Sequence, residues 1–129
     1  MSSYAFPKAL RLLKSADFQA VFANAPFRAS HQHLLILSRA NGLGHARLGL
    51  IIAKKNIRLA VNRNRVKRLI RESFRMHQQQ LQDLDVIVLA RRGLDECDSS
   101  TIEKMLSKQW QRIARKRDQA AATPQAETP

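Results

Sequence analysis

Apolar positions along the chain follow two periods, and the alternation between them marks out the elements. Phe18, Val21 and Phe22 recur at helical spacing after Ser15, so residues 15–24 read as a short amphipathic helix with Ser15 as its cap. Pro26 ends it. Phe27 to His33 read as a short edge strand before the apolar run Leu34 to Leu37. Asn41-Gly42-Leu43-Gly44 is a turn signal, and Leu48, Leu50 and Ile52 then alternate through 46–53, which predicts a hairpin. Lys54 and Lys55 close that strand, and Asn56 to Leu59 lead into a long helix running to about Leu81. Asp85 to Arg91 are short, β-branched and ended by Gly93, so a further strand is expected there. Ser100 and Glu103 have the spacing of a capping box. They open a last helix with Ile102, Met105, Leu106, Trp110 and Ile113 on one side and Trp110 in the core. Its pattern ends at Arg115-Lys116-Arg117, and Gln119 to Pro129, rich in Ala, Thr, Pro and Gln, read as a disordered tail.

This order of elements predicts an α/β fold: a layered sandwich with helices packed on a roughly four-stranded sheet. The chain of 129 residues is sized for one domain, expected over 1–118 with the tail at 119–129. No run of eighteen apolar residues is present, and Met1 to Lys14 lack the apolar stretch of a secretory signal. With one cysteine, Cys97, an internal disulfide is excluded, and a cytoplasmic protein is expected.

Charge narrows the function. The formal net charge is +13, and residues 1 to 71 hold 14 basic side chains against the single acid Asp17. From Glu72 onward nine basic residues face nine acids, so that half is neutral by count. A field of one sign over half a small domain repels itself, and a polyanionic partner is its natural counterpart. No segment joins an exposed apolar face to an interfacial Trp, so nucleic acid is preferred to a membrane.

The charge is organised on the long helix. With Arg63 at 0° and about 100° per residue, Lys67, Arg71, Asn64, Arg75 and Arg68 fall between about 40° and 140°. Leu69, Ser73, Val66, Ile70 and Phe74 occupy the opposing arc and face the sheet. Arg65, near 200°, lies on a flank shared with Glu72. Like charges crowd this stripe, and guanidinium forks suit phosphate oxygens, so the stripe reads as a binding face and not merely a solvated one. A DNA-reading helix-turn-helix is set aside, because a strand and not a helix precedes the basic helix.

Catalysis by the protein itself finds no residues to carry it. A nuclease needs an acid and a base, or carboxylates that gather metal, beside a phosphate. Asp17 stands alone in the basic half; Asp83, Asp85, Asp95, Glu96 and Asp98 sit near loop ends. His31 and His33 share a strand face but have no neighbouring carboxylate or Cys, and His45 and His77 are surface candidates. No catalytic and no metal-binding residue is therefore assigned.

Arg63-Asn64-Arg65, continuing through Arg75 and preceded by Ala53-Lys54-Lys55, closely resembles the signature of the protein subunit of bacterial ribonuclease P. The likeness extends to Lys14 through Phe18, to the strand Leu48 to Lys55 and to Asp85 through Arg91, covering about residues 8 to 115. It implies a ribonucleoprotein in which a catalytic RNA, with Mg²⁺, removes the 5′ leader of precursor tRNA and the protein assists. It further implies RNA contacts at Lys54, Lys55, Arg63, Asn64, Arg65, Lys67, Arg68 and Arg71. Arg58 before the helix and Arg75 at the end of the stripe complete the candidate set. A leader-binding cleft would comprise Phe18, Phe22, Leu34 and Ile36. Some relatives carry an aromatic residue where this chain has Leu34 and Ile36, which implies weaker stacking on the leader and more reliance on shape and charge. The resemblance also implies a left-handed crossover around the basic helix, where general chain topology favours the right-handed one. The alternative from another class is a structural RNA-binding protein of ribosomal type with no part in processing.

Overall fold

The computed structural model describes residues 14–122. Its elements are α1 (Ser15–Ala23), β1 (Phe27–Ser30), β2 (Leu34–Ala40), β3 (Arg47–Ile51), α2 (Ala60–His77), β4 (Leu84–Ala90), a 3₁₀ turn (Leu94–Glu96) and α3 (Ser99–Ala122). The four strands form one sheet in the order β1-β2-β4-β3. β1 and β2 are an antiparallel hairpin, with Phe27 opposite Ser38 and Ser30 opposite Leu35. β2 and β4 are antiparallel, and β3 runs parallel to β4, so β3-α2-β4 is a β-α-β unit.

The expected hairpin between Leu34–Leu37 and 46–53 does not form. β4 inserts between those strands. Period-two alternation states that Leu48 and Leu50 need a buried face but does not choose the neighbouring strand. The turn at 41–45 is tied to the entry of β4: Asn41 N–H donates to the Asp83 carbonyl at 2.8 Å, its side-chain amide donates to Asp85 Oδ1 at 2.8 Å, and Gly44 N–H donates to Asp83 Oδ1. Gly42 and Gly44 adopt the left-handed φ values of 67° and 83° that this wide turn requires.

β4, a continuous apolar run, is covered on both faces. On one face α2 and α3 close the main core, which contains Leu34, Ile36, Leu48, Val86, Val88, Val66, Ile70, Phe74 and Trp110. Trp110 meets Phe74 edge-on with ring centroids 6.1 Å apart, and its indole N–H donates to Ser73 Oγ at 2.8 Å. That bond satisfies the one polar atom the Trp carries into the core. On the other face a smaller cluster of Val21, Leu37 and Ile87 joins α1 to the sheet, with Phe18, Leu35, Ile51 and Leu89 partly buried around it.

Helix ends differ from expectation at four places. Ser15 is the first helical residue of α1 and not its cap; the end is held by Asp17 Oδ2, which accepts Lys14 N–H at 2.9 Å. α2 stops at His77, and the chain turns through Asp83, at φ 68°, to enter β4. α3 is capped by Asp98, not Ser100: Asp98 Oδ1 accepts Thr101 N–H at 2.7 Å and its carbonyl accepts Ile102 N–H at 3.0 Å. Arg117 is no stop signal, since it donates to the Gln82 carbonyl at 2.9 Å and the helix continues to Ala122. Gln119 to Ala122 of the expected tail are thus helical, as alanine favours; 123–129 lie outside the described residues.

Candidate nucleic-acid interface

α2 presents its arginines as the wheel requires. Val66, Ile70, Ser73 and Phe74 are buried, while Asn64, Arg68 and Arg71 are exposed on the outer side and Lys67 is half-buried beside them. Lys54, Lys55 and Arg58 are exposed in the turn that leads into the helix. Asn56 pins that turn to the end of β4, donating from its amide to the Ala90 carbonyl at 2.9 Å. The stripe is therefore a rigid row and not a set of loop charges.

Its members do not all serve alike. Arg63 turns back and donates from Nη1 to the carbonyls of Ile57 at 3.0 Å and Arg58 at 2.8 Å, tying the head of the helix to the preceding turn. Arg65 reaches the start of α3, donating from Nη2 to the Cys97 carbonyl at 2.9 Å and to Ser99 Oγ at 3.3 Å. Arg65 thus also ties α2 to the start of α3. Arg75 pairs with Glu72 one turn earlier. The side chains left pointing outward are Asn64, Lys67, Arg68 and Arg71, with Lys54, Lys55 and Arg58 at the head. Sequence reasoning missed Leu59 and Val61, which are 60% and 70% exposed at the head of α2. Val61 falls near 160° on the wheel, off the apolar arc, and that displacement was its available signal.

Of the four residues expected to line a cleft, Phe18 and Phe22 lie on α1, whereas Leu34 and Ile36 do not face that helix. Phe18 and Phe22 stack with centroids 6.5 Å apart, Phe18 half-buried and Phe22 48% exposed. Leu34 and Ile36 are 0% exposed and belong to the main core on the opposite face. Strand parity decides this: the side chains beneath α1 are Leu35 and Leu37, opposite Leu89 and Ile87 on β4, with Ile51 beside Leu89 on β3. The apolar floor is therefore Leu35, Leu37, Ile51, Ile87 and Leu89. Arg28, the register partner of Leu37, lies exposed on the same face.

Two arginines on this face fasten α1 at one end. Arg39 Nη1 donates to the Ala20 carbonyl at 3.1 Å. Arg47 holds Asp85 with two bonds of 2.8 Å and reaches Asp17 of α1 at 3.3 Å. The Asp85 hydrogen bond raises Arg47 above its ordinary range, with the charges of Asp85 and Asp17 adding to it against the effect of burial. Both clamps sit at the Arg39-Asp85-Arg47 end of the strands. The Leu35-Leu89-Ile51 end, four residues or roughly 13 Å along, keeps partly exposed apolar side chains.

His31 and His33 lie in the β1–β2 turn with ring centroids 5.8 Å apart. Among the described residues no three His, Cys, Asp or Glu side chains converge where they could hold a metal ion.

Comparison with known proteins agrees with this architecture and extends it. The family model for Ribonuclease P matches residues 6–114. A ribonuclease P protein component from Chromohalobacter salexigens is 46% identical over 126 residues, covering 96% of this chain and 98% of that protein. One from Marinobacter nauticus is 50% identical, covering 90% of this chain and 87% of its own length. Among solved structures, the RNase P protein of Staphylococcus aureus superposes with a TM-score of 0.72 at 32% identity, covering 79% of this chain and 93% of that one. The RNase P protein of Thermotoga maritima does so with a TM-score of 0.71 at 30% identity, covering 80% and 96%. A family match over most of the length, joined to the outward arginine row of α2, leads to one conclusion: the chain belongs to the family of ribonuclease P protein components.

Proposed function

We propose that this ribonuclease P protein component docks on the catalytic RNA through α2 and holds the 5′ leader of precursor tRNA against the cleft beneath α1. The hydrolysis belongs to the RNA in this reading. The observation that carries it is the row Asn64, Lys67, Arg68 and Arg71, turned outward on a helix whose other side is locked in the core. An aligned row of cations meets a phosphate backbone at no cost in rearrangement.

The cleft supplies the second contact. Phe18 and Phe22 offer ring faces, Leu35 and Leu89 an apolar floor, and Arg28 a cation at the rim, a combination suited to one unpaired strand. Single-stranded leader is held by stacking and charge without base-specific hydrogen bonds. Mg²⁺ supplies activation of the attacking water and charge neutralisation at the scissile phosphate. Among the described residues the carboxylates are scattered and form no cage for it, and its ligands are assigned to the RNA. We place the complex in the cytosol; no helix among the described residues is long and apolar enough to cross a membrane.

The test is cleavage of precursor tRNA at low Mg²⁺ by the protein alone, the RNA alone and the two together. Only the mixture should work well. Cleavage by the protein alone, or no gain on adding it to the RNA, would overturn the reading. A structural RNA-binding protein would bind without raising leader removal.

A further inference from the structure

The half of the chain from Glu72 onward is neutral by count but not in space. Most of its acids are drawn into turns and networks, while Glu96 and Glu103 are exposed. Asp85 lies under Arg47, Asp83 accepts Gly44 N–H, Asp95 faces Asn62 and Asp118 pairs with Arg117. Asp98, the acid beside Lys104, caps α3 through Thr101. The cations of α3 are sorted differently. Lys104, Lys108, Arg112 and Arg115 are all exposed and fall within about 80° of one another on the helix, over a rise of roughly 16 Å.

This stripe faces away from the one on α2. The two helices meet through Trp110 with Ser73 and Ser107 with His77, so each turns its cations to the opposite flank. The α3 stripe lies against the β1 edge instead: Arg112 Nη1 reaches the Ser30 carbonyl at 3.5 Å, and Lys116 Nζ donates to the Arg28 carbonyl. Between α3 and the β1–β2 turn is a hollow of about 400 Å³ lined by His31, Gln32 and His33 on one side and Thr101, Lys104 and Lys108 on the other. His31 Nδ1 accepts His33 N–H at 3.0 Å, so a neutral ring carries its proton on Nε2 as a donor.

We propose that the α3 stripe, with the β1–β2 turn, is a second RNA-binding surface that takes the phosphate backbone of an RNA segment other than the one met by α2. The protein then bridges two parts of its ribonucleoprotein. The inference rests on the RNA-binding reading above. Cations spaced four residues apart rise about 6 Å per step, comparable to the separation of successive phosphates on one strand. Among the described residues the exposed large apolar side chains, Phe22, Leu43, Leu59, Val61 and Met76, all lie elsewhere. The face thus lacks the apolar anchor that a protein partner or a lipid surface would require.

The test uses the full chain with the catalytic RNA of ribonuclease P, with and without precursor tRNA. K104Q/K108Q/R115Q removes three exposed charges that hold no backbone group in place; thermal unfolding checks that the fold is kept. Its RNA affinity should fall about tenfold or more, and the slope of log affinity against log salt should drop by about two to three. Lysines 104 and 108 should be protected from acetylation in the complex. R68Q/R71Q on α2 is the parallel arm. If that arm loses affinity while the triple variant keeps affinity and slope and both lysines react as in free protein, the second surface is overturned and the proposed function stands. If neither arm changes binding, the RNA-docking reading itself fails. Protection or a lowered slope confined to the precursor tRNA complex assigns the surface to substrate RNA and supports it.

Discussion

Arg47, on the edge strand β3, grips Asp85 of β4 with two bonds of 2.8 Å and with the same guanidinium reaches Asp17 of α1 at 3.3 Å. One side chain thereby joins the edge strand, the central strand and the first helix. Asp85 is 5% exposed, and Arg47 and Asn41 supply the hydrogen bonds that its buried carboxylate oxygens require.

Arg47→Met should therefore destabilise the protein by about 2 to 3 kcal/mol, at or just below the low end for a broken buried pair because Arg47 keeps some contact with water. The double replacement Arg47→Met with Asp85→Leu should recover much of that loss, since no orphaned carboxylate remains. Urea denaturation measures both. A single variant as stable as the parent would show that the network carries little.

Arginines of α2 should separate into two groups. Arg68→Ala and Arg71→Ala, exposed and without a structural bond, should change stability by less than about 0.5 kcal/mol and weaken binding to the catalytic RNA roughly tenfold each. Arg65→Ala should cost about 1 kcal/mol of stability, because it leaves the Cys97 carbonyl and Ser99 without their donor. Filter binding and thermal melts on the same variants distinguish the groups.

In the cleft, strand parity predicts which substitutions reach the leader. Leu35→Ala and Phe22→Ala should lower affinity for a leader oligonucleotide while costing about 1 kcal/mol or less in stability. Ile36→Ala, on the far face, should cost about 2 to 5 kcal/mol and leave the leader affinity of the folded fraction unchanged. A photoreactive leader that crosslinks at residue 36 and not at 35 would contradict the assignment.

His31 offers a test by pH. Burial lowers its pKa below the ordinary value of 6.5, and His33, Arg112, Arg91 and Lys108 lower it further. The unfolded chain binds the proton more readily, so this contribution to stability is complete above pH 6.5 and is lost as pH falls below it. A polyanion on the α3 face should reverse the shift. An NMR titration should find the His31 pKa raised in the RNA complex and RNA affinity increasing as pH falls; an unchanged titration would remove His31 from that surface.

Much of this architecture is legible in the chain because it is local. Helical spacing put Val66, Ile70 and Phe74 inward and Arg68 and Arg71 outward, and rotation about one helix axis needs no knowledge of the rest of the fold. The run at Asp85 to Arg91 announced a strand by its β-branched residues and the Gly93 that ends it, while its cover on both faces came with the fold. The partner of each strand and the face of each floor residue were decided elsewhere. Alternation fixes that Leu34 and Leu35 point to opposite sides, but which side meets α1 depends on the register against β4 and on where Arg39 and Arg47 fasten the helix. Likewise a count of charges from Glu72 onward sums to nothing, while folding buries or pairs acids such as Asp85 and Asp118 and leaves Lys104, Lys108 and Arg115 in one exposed row. Periodicity belongs to a segment, whereas pairing, register and field belong to contacts between segments, and only the tertiary structure supplies those.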